Sequence, residues 1–541
     1  MTMPIASSRT RSYRPADTST ALWEETAGTV LARHARNHPG SPAVTEWIPD
    51  VDTPGGGRTR TLTYAEVYEA AHAAAAGLLS AARPGDRIAL WAPNSADWLI
   101  FEYAAALAGV ALVPLNPAFT DREAVDLLKR TRCVVVLTVV EFRGQDLLAR
   151  AQRLAVDVPS LRRCIDLDQW REAFADAPAV QLPDVSPDDP YLIQFTSGTT
   201  GEPKAAVLNH RAALNAGRMM LPAMELDDGV AWCSPMPMHH IAGTVCLAMS
   251  ALSGRGHIVL FPKFDPTVML ELIERTKASV ILSVPTMLMA LLDDPTFADR
   301  DLSSMQVALC GGSTVAPSLI RRAEQAIGCK IVNAYGQSEA PSAIQTRLDD
   351  TDEVKAFTIG RPLQHREAQV VDPGTNEVVQ YGEAGELWLR SPLNMSGYFE
   401  DTGSTGRTVD SDGWLHTGDL CAMSPEGVIS IRGRLREVII RGGENIYPSE
   451  IEDVLLQHPA VANVAIVGTP DERWGEQVAA FVKFRDDNNA SWSDLEEHVR
   501  QRISHYKIPR IWRLVEDYPL TPSGKVQKFR LQQQLVSENA S

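Results

Sequence analysis

The alternation of β-branched and alanine-rich segments constrains the fold of this chain more than any other feature. Strand-like runs at 87–91 and 133–137 lie between helix-like segments at 64–79 and 98–107. Apolar strands joined through helices are typical of parallel sheets that are covered on both faces. The same alternation continues further along, with strands predicted at 257–260, 278–283, 306–309 and 330–332 and helices at 286–292 and 316–327. The pattern predicts an α/β fold of layered, mainly parallel sheets.

The pattern of predicted elements changes toward the C-terminus. From about residue 369, short strands with Gly/Pro turns predict a smaller β subdomain. A charge cluster at 432–437 precedes a compact α+β pattern. Its predicted elements are a helix opened by Pro448, strands at 464–467 and 480–484, and a helix with a Ser493/Glu496 capping box and a Leu495, Val499 and Ile503 stripe.

The chain length favours more than one domain. At 541 residues the chain exceeds the usual size of a single domain. We predict a large N-terminal domain of layered α/β subdomains plus the β subdomain over residues 21–435, and a small, mobile α+β domain over residues 436–541. The hinge is placed near Arg436.

Charge and cysteine usage exclude several classes of protein. The net charge of −17 disfavours binding to nucleic acid or to an anionic membrane, so an anionic ligand must be held by local positive groups. The seven cysteines show no CxxC spacing, which argues against a zinc site or a disulfide framework and favours a reducing compartment. We therefore expect a cytoplasmic protein.

Neither the N-terminal segment nor the longest apolar stretch has the pattern of a targeting or membrane-spanning segment. Residues 1–20 are rich in Ser, Thr, Arg and Pro without an apolar core, so we interpret them as a disordered lead-in rather than a signal peptide. The longest apolar stretch, 98–115, is interrupted by Glu102 and Pro114, and we predict a buried helix that runs into a strand, not a membrane span.

The run from 191 to 204 has the composition of a phosphate-binding loop. A buried-type strand leads into hydroxyls, glycines that allow close backbone approach, and a lysine. The residues concerned are Thr196, Ser197, Gly198, Thr199, Thr200, Gly201 and Lys204. The spacing differs from the Walker pattern because Pro203 lies between Gly201 and Lys204. Taken alone, a surface turn of the same composition is the alternative.

Together with five further stretches, this loop resembles the adenylate-forming superfamily of acyl-CoA synthetases, luciferases and adenylation domains, from about residue 62 to 531. The run 334–339, Ala-Tyr-Gly-Gln-Ser-Glu, is similar to the family motif in which a tyrosine packs on adenine, a hydroxyl meets the α-phosphate and a glutamate holds Mg²⁺. The resemblance implies these roles for Tyr335, Ser338, which replaces the usual threonine, and Glu339, with Gly336 and Gln337 in the same motif. A carboxylate suits this hard cation.

Two more motifs complete the implied nucleotide site. The run 310–313 resembles the stretch that lies along adenine, which assigns Gly311, Gly312 and Ser313 to it, although a bland turn has the same composition. Asp419, in the run 413–419, resembles the aspartate that binds both ribose hydroxyls, and Arg434 the arginine that also reaches the ribose.

The C-terminal motifs imply a domain that serves two reactions. Arg436 stands at the family hinge position, but Arg436-Glu437 replaces the usual Lys or Asp followed by Asp, and a solvated charge cluster is the alternative. Gly442 and Gly443 resemble the loop that lines the pantetheine tunnel of CoA. Lys525 resembles the lysine that reaches both the acyl carboxylate and the α-phosphate. The implied catalytic residues are Lys525, Thr196, Glu339 and Lys204.

The run 237–243 resembles the acyl-pocket segment of the family. It contains His239, His240 and Gly243, and residues 284–286, Gln337 and 340–342 are expected to complete the pocket. We interpret His240 as a wall or gate, because a carboxylate substrate is already ionised near neutral pH and needs no general base. The segment lacks the aspartate that amino-acid-activating relatives use, so the resemblance implies an acid without an α-amino group.

The predicted activity is ATP-dependent formation of acyl-AMP with release of pyrophosphate, followed by transfer of the acyl group to CoA, with Mg²⁺ as the metal. The alternatives are an acyl-AMP ligase that delivers to a carrier protein or another nucleophile, a luciferase-like oxygenase, and a non-catalytic nucleotide sensor. Neither the acid nor the oligomeric state follows from the sequence, and a homodimer is left open.

Overall fold

The protein is represented by a computed structural model that describes residues 10–50, 56–177, 180–196, 203–312, 315–442, 444–471, 473–485, 490–520 and 526–539. Its strands, in chain order, are β1 (Tyr13–Arg14), β2 (Pro42–Pro49), β3 (Gly57–Thr63), β4 (Arg87–Trp91), β5 (Ala111–Pro114), β6 (Cys133–Thr138), β7 (Glu141–Phe142), β8 (Gln145–Asp146), β9 (Arg163–Asp166), β10 (Pro190–Phe195), β11 (Ala205–Asn209), β12 (Ala231–Cys233), β13 (His257–Leu260), β14 (Val280–Ser283), β15 (Val307–Gly311), β16 (Lys330–Gln337), β17 (Ala340–Gln345), β18 (Arg361–Pro362), β19 (Glu367–Val371), β20 (Gly385–Arg390), β21 (Gly397–Tyr398), β22 (Leu415–Met423), β23 (Ile429–Arg434), β24 (Ile439–Arg441), β25 (Glu444–Ile446), β26 (Val461–Asp471), β27 (Gly475–Phe484) and β28 (Ile511–Leu514).

The helices alternate with these strands through much of the chain. They are α1 (Ala27–Asn37), α2 (Tyr64–Leu78), α3 (Ala96–Ala108), α4 (Asp121–Thr131), α5 (Leu147–Leu154), α6 (Trp170–Ala173), α7 (His210–Arg218), α8 (Met220–Ala223), α9 (Ala248–Ser253), α10 (Pro266–Thr276), α11 (Pro285–Leu292), α12 (Pro317–Ile327), α13 (Asp352–Phe357), α14 (Thr402–Thr408), α15 (Pro448–Leu456), α16 (Trp492–Arg500) and α17 (Lys528–Asn539).

Two mainly parallel sheets form the bulk of the molecule. A seven-stranded sheet has the order β21-β11-β10-β5-β4-β6-β9, and a nine-stranded sheet has the order β18-β17-β16-β15-β14-β12-β13-β2-β3. Strands β16, β15, β14, β12 and β13, adjacent in that order, pair in parallel with one another. The predicted layered α/β architecture is therefore confirmed, and the stretch 98–115 is the buried helix α3 followed by β5, as predicted.

Alternation along single strands divides the apolar core into two layers. In β14, Val280 and Leu282 pack into a large cluster that also takes side chains from the seven-stranded sheet, such as Leu90. Ile281, between them, faces a second cluster that includes Leu288 of α11. Successive side chains of a strand point to opposite faces, so one strand contributes to both layers.

A third sheet is the predicted β subdomain, and it also contains the early strand β1. Its order is β1-β19-β20-β22-β23. Tyr13 pairs with Gln369, and Ser12 is fully buried and donates from its backbone to Val379 at 2.8 Å. The prediction of a disordered lead-in is wrong for residues 10–20, because a strand added to a sheet edge satisfies a polar segment without an apolar core of its own. Residues 1–9 lie outside the described residues.

The C-terminal residues form a small α+β unit with separate apolar clusters. Strands β24 to β28 form its sheet, and Ile451 of α15 and Leu495 of α16 pack on one cluster. The helix α16 begins at a Ser491/Asp494 capping box, not at Ser493/Glu496 as predicted. Both pairs fit the capping pattern, so the local sequence did not decide between them. The helix starts two residues earlier and ends before Ile503.

None of the helices in the described part of the chain combines the length and the apolar character needed to cross a lipid bilayer.

Candidate functional site

The predicted phosphate loop connects two antiparallel strands. Strand β10 is buried from Tyr191 to Phe195 and pairs antiparallel with β11. Where these strands meet the loop, the Thr196 amide donates to the Lys204 carbonyl at 2.8 Å, and the Lys204 amide donates to the Thr196 hydroxyl at 3.3 Å. Ser197, Gly198, Thr199, Thr200 and Gly201 lie outside the described residues. The base of the hairpin thus holds Thr196 and Lys204 side by side.

Tyr398 connects this hairpin with the predicted metal ligand. Its hydroxyl donates to Glu339 Oε1 at 2.7 Å, and the Lys204 ammonium lies 4.9 Å from the centre of its ring. Burial raises the pKa of the Tyr398 phenol, and the Glu339 carboxylate raises it further, so the hydroxyl stays protonated and donates. Sequence reasoning missed Tyr398, which follows a glycine in a two-residue strand without a motif of its own.

The Asp419 carboxylate is held from two sides. Tyr335 donates its hydroxyl to Oδ2 at 2.5 Å, and Arg434 Nε lies 2.8 Å from Oδ1. Burial and the nearby Asp419 charge raise the pKa of Tyr335 well above its ordinary value, which keeps it a donor. The register of β22 and β23 pairs Asp419 with Arg434 directly. Three residues from separate sequence motifs therefore meet at one carboxylate.

A second layer of contacts fixes the turn before Asp419. Glu386, which is 7% exposed, accepts the Gly418 amide at 2.9 Å through Oε1 and the Trp388 indole N–H at 2.8 Å through Oε2. His416 stacks on Trp388 with ring centres 3.9 Å apart. No motif predicts this support, because it depends on the register of β20 against β22.

The predicted adenine-side residues lie at the carboxyl ends of the parallel strands β15 and β16. Gly311 closes β15 opposite Ala334 of β16, and Gly312 follows with a φ of +82°, where a side chain would be strained. Gln337 donates to the Tyr335 hydroxyl at 3.4 Å. Ser313 lies outside the described residues. In open α/β sheets this edge is the usual place for a ligand crevice.

The predicted acyl-pocket segment follows β12 and is clamped by the other sheet. Asn94, which follows β4, accepts the Met238 amide at 2.8 Å and donates to the Met236 carbonyl at 2.9 Å. Gln194 of β10 donates to the His239 carbonyl at 3.0 Å. Burial lowers the pKa of His239 to about 3, so the imidazole is neutral at physiological pH.

A π-helix gives this segment its shape. It covers Ala242–Leu247, and such helices are rare and recur at functional sites. Gly243 is required there, because a Cβ would lie 2.4 Å from the Pro237 carbonyl oxygen. Cys246 lies 3.2 Å from the hydroxyl of Ser342, which adopts a φ of +48°. The Gly243 amide donates to the His240 carbonyl at 2.8 Å, so the π-helix connects the predicted residues His240 and Gly243 with Ser342 through Cys246.

The predicted hinge lies between two sheets. Arg434 ends β23, a short 3₁₀ turn covers Leu435–Glu437, and β24 begins at Ile439. Burial lowers the pKa of the Arg436 guanidinium, and repulsion from Arg434 lowers it further. Glu437 lies 3.4 Å from Lys528 at the start of α17, and Lys528 lies 2.7 Å from Glu452. Lys525 lies outside the described residues, between Leu520 and Val526, which form a β-bridge.

The predicted CoA loop packs against an aromatic residue, Trp474, that the sequence analysis did not identify. Gly442 has a φ of +61°, and a Cβ there would lie 2.8 Å from the Trp474 ring. Trp474 is 43% exposed, and the guanidinium groups of Arg441 and Arg473 lie 5.3 and 5.1 Å from its ring centre. Gly443 lies outside the described residues.

The donor set near Glu339 fits a magnesium ion that is shared with a ligand. Among the described residues there is no cluster of three or more His, Cys, Asp or Glu side chains able to hold a metal. Mg²⁺ commonly uses one or two carboxylates together with substrate phosphates and water. Glu339, a single buried carboxylate, meets the protein's part of that requirement.

Comparison with known proteins gives the same assignment along the whole chain. The model of the family "AMP-binding enzyme" matches residues 31–399, and that of the "AMP-binding enzyme C-terminal domain" matches residues 450–525. Medium-chain acyl-CoA ligase ACSF2, mitochondrial, of Macaca fascicularis is 33% identical over 97% of this chain and 89% of its own length.

Solved structures agree with this likeness. ATP-bound MatB from Rhodopseudomonas palustris is 25% identical with a TM-score of 0.83, over 94% of this chain and 99% of its own. The amide bond synthetase McbA from Marinactinospora thermotolerans is 27% identical with a TM-score of 0.80, over 94% of this chain and 99% of its own. Two family models placed in sequence over both parts of the molecule, together with similarity over nearly its full length, show that this chain belongs to the AMP-binding enzyme family of adenylate-forming ligases.

Proposed function

We propose that this ligase activates a medium-length aliphatic carboxylic acid. The acid carboxylate attacks the α-phosphorus of ATP to give acyl-AMP and pyrophosphate, and the CoA thiol then attacks the acyl carbon, releasing AMP and a proton. The observation that carries the nucleotide part is the convergence of Tyr335 and Arg434 on the Asp419 carboxylate, at the carboxyl edge of the parallel sheet.

Asp419 is proposed to bind the ribose. Each carboxylate oxygen has a further lone pair besides the one that Tyr335 or Arg434 uses, so it can accept a ribose hydroxyl. The phenol ring of Tyr335 and the backbone at Gly311 and Gly312 are proposed to lie along the adenine. The positive φ of Gly312 keeps that edge free of a side chain.

Thr196, Lys204, Ser338 and Glu339 are proposed to handle the phosphates. The hairpin base supports the donors of the loop, and Lys204 offers a positive charge for the triphosphate. Glu339 would hold Mg²⁺, which when bound offsets the charge of the triphosphate so that an anionic acid can approach. Lys525 is proposed to stabilise the negative charge that develops as the carboxylate attacks.

The acid is proposed to be aliphatic, of medium length and without an α-amino group. The segment 237–243 has no carboxylate that could pair with a substrate ammonium, and His239 is neutral. The medium length follows the likeness to ACSF2, a medium-chain acyl-CoA ligase. His240 and Gly243 are proposed to border the acyl chain, and His240 is assigned no proton transfer.

The thiol-transfer step is proposed to use the opposite face of the small domain, after rotation about Arg436. Gly442 and Gly443 would flank the pantetheine arm. The exposed Trp474, with Arg441 and Arg473 beside it, suits the purine and phosphates of CoA, because an indole stacks on a base and guanidinium groups bind phosphate. A cytoplasmic location stays a prediction.

Transfer to a different nucleophile is the second candidate, favoured by the likeness to the amide bond synthetase McbA. A steady-state assay distinguishes the two. The purified protein is given ATP and Mg²⁺ with butanoate, octanoate, decanoate, palmitate or benzoate, with and without CoA, and pyrophosphate, AMP and acyl-CoA are measured.

We expect octanoate or decanoate to give the highest kcat/KM, with equal amounts of acyl-CoA, AMP and pyrophosphate and with sustained turnover only when CoA is present. A faster reaction with benzoate would overturn the aliphatic assignment. Formation of acyl-AMP that CoA does not consume would support the second candidate.

A further inference from the structure

Tyr398 lies between two side chains that come from different motifs of the proposed ATP site. Its hydroxyl donates to Glu339 Oε1 at 2.7 Å, and its ring faces the Lys204 ammonium at 4.9 Å. The residue is 7% exposed. One buried side chain therefore contacts both the carboxylate proposed for Mg²⁺ and the cation proposed for the phosphates.

The backbone holds Tyr398 in this place from two directions. In β21, Tyr398 pairs with Ala206 of β11, so it lies close to Lys204 where β11 begins. The Phe399 amide donates to the Ala205 carbonyl at 2.8 Å. The Tyr398 amide donates to the Thr405 hydroxyl at 2.9 Å. The phenol is thus fixed to the same hairpin that carries the phosphate loop.

The two contacts have different chemical effects. The hydroxyl fixes one oxygen of Glu339, and among the described residues no hydrogen bond or ion pair uses the other oxygen, Oε2. A carboxylate fixed in this way offers Oε2 to a cation in one orientation. The ring offers Lys204 a weak, polarisable partner in place of a carboxylate, so phosphate oxygens can compete for the ammonium.

We propose that Tyr398 is a positioning residue for acyl-AMP formation, which orients Glu339 for the metal through its hydroxyl and holds Lys204 beside the phosphate loop through its ring. This inference rests on the proposed roles of Glu339 and Lys204. It predicts that the two contacts can be removed separately, since Tyr398→Phe removes the hydroxyl alone and Tyr398→Leu removes the ring as well.

The experiment measures ATP binding by calorimetry without any acid, once in EDTA and once across a Mg²⁺ titration, together with the Mg²⁺ dependence of pyrophosphate release. Tyr398→Phe is expected to raise the half-saturating Mg²⁺ concentration about tenfold and to leave ATP binding in EDTA unchanged, as loss of one hydrogen bond to a charged group implies. Tyr398→Leu is expected to weaken ATP binding in EDTA about fivefold in addition.

Tyr381→Phe is the matched control, because no hydrogen bond from its hydroxyl to another described residue is found, and it should change neither quantity. Melting temperatures of all variants separate folding from positioning. If Tyr398→Phe matches the wild type in both measurements, or weakens ATP binding equally with and without Mg²⁺, the inference is overturned.

Glu339→Gln separates this inference from the proposed function. If Glu339→Gln raises the Mg²⁺ requirement and Tyr398→Phe does not, the positioning role alone is wrong. If Glu339→Gln leaves the Mg²⁺ requirement unchanged, the proposed metal role of Glu339 is wrong, and the inference about Tyr398 falls with it.

Discussion

The ribose side of the candidate site is built on paired strands, whereas the side that faces the acid and CoA is built on turns and on the small domain. Asp419 and Arg434 are direct register partners in β22 and β23, and Tyr335 lies in β16. His239 lies in the turn that follows β12, and Gly442 lies in a turn of the small unit. Strand pairing fixes side chains before a ligand binds, so we expect the proposed ribose contacts to be preformed and the groups on turns to act in one half-reaction each.

Ion pairs at the predicted hinge connect three elements of the small C-terminal unit. Lys528 lies between Glu437 of the hinge turn and Glu452 of α15, and it is three residues from Lys525. The Lys528 ammonium, whose side chain is 20% exposed, thus joins the hinge turn, α15 and the start of α17. We expect the Lys525 loop to move with the small domain as a unit.

The largest expected effect concerns Lys525 and tests whether the two sides act separately. Lys525→Ala should lower the rate of acyl-AMP formation about a thousandfold, since it removes a preorganised cation from the developing charge. The transfer of acyl from added octanoyl-AMP to CoA should stay within about twofold of the wild type, because that step does not use the ammonium. Rapid-quench assays of each half-reaction measure both rates.

Lys483→Ala is the control, since Lys483 pairs with the exposed Asp517 on the same domain. Equal losses in both half-reactions of Lys525→Ala would show that the two faces are not separate.

The next effect tests whether the ribose side serves both half-reactions. Asp419→Asn removes the charge that Tyr335 and Arg434 hold, at a position only 4% exposed. We expect the KM for ATP to rise by about one to two orders of magnitude, as for a buried charged hydrogen bond, and the affinity for AMP to fall in parallel. Calorimetry with AMP and steady-state kinetics with ATP measure the change.

Asp412→Asn, an exposed substitution just before β22, should leave both constants unchanged. An unchanged affinity for AMP in Asp419→Asn would show that Asp419 does not bind the ribose.

A smaller effect is expected for Gly442, and it should affect the second half-reaction and not the first. Gly442→Ala places a Cβ 2.8 Å from the Trp474 ring at a φ of +61°. Acyl transfer to CoA should fall about tenfold, because the ring that faces the thiol path must shift, while acyl-AMP formation is retained. Gly382→Ala is the control for strain alone, since its φ is +82° and no atom lies within 4 Å of the added Cβ. Loss of acyl-AMP formation in Gly442→Ala would contradict the assignment.

The smallest effect concerns the acid stability of the large region, where several histidines are buried. Burial lowers the pKa of His34, His210 and His257 to about 4, and that of His239 to about 3, all within the large region. Below pH of about 6.5 these histidines bind protons in the unfolded chain but stay neutral in the folded chain. The free energy of unfolding therefore falls as pH falls from about 6.5 to about 4.

The variant His257→Gln tests one of these groups. It should reduce the pH slope of unfolding by about 1.4 kcal/mol per pH unit within that window, measured by urea denaturation, whereas the exposed His38→Gln should not. The same slope in both variants would show that burial of His257 does not carry the effect.

The sequence predicted the fold well where long-range order agrees with local pattern. The strand at 87–91 coincides with β4, and the helices at 286–292 and 316–327 match α11 and α12 within one residue. Boundaries failed where two equivalent signals competed, as at Ser491 and Ser493, or where sheet addition orders a polar segment, as at Tyr13.

The candidate site divides in the same way. Tyr335, Asp419 and Arg434 were predicted from motifs, and the structure brings them together. Tyr398 and Trp474 were missed, because their importance depends on which residues the sheets place beside them. No local spacing encodes a contact between residues 59 positions apart, such as Tyr398 and Glu339.

The most direct measurement is a two-step quench experiment with octanoate. The enzyme, in excess, is mixed with ATP, Mg²⁺ and octanoate, and CoA is added after a delay. We expect octanoyl-AMP to accumulate with release of pyrophosphate, and CoA then to convert it to octanoyl-CoA and AMP. Absence of octanoyl-AMP, or octanoyl-AMP that persists after CoA is added, would contradict the proposed two-step reaction.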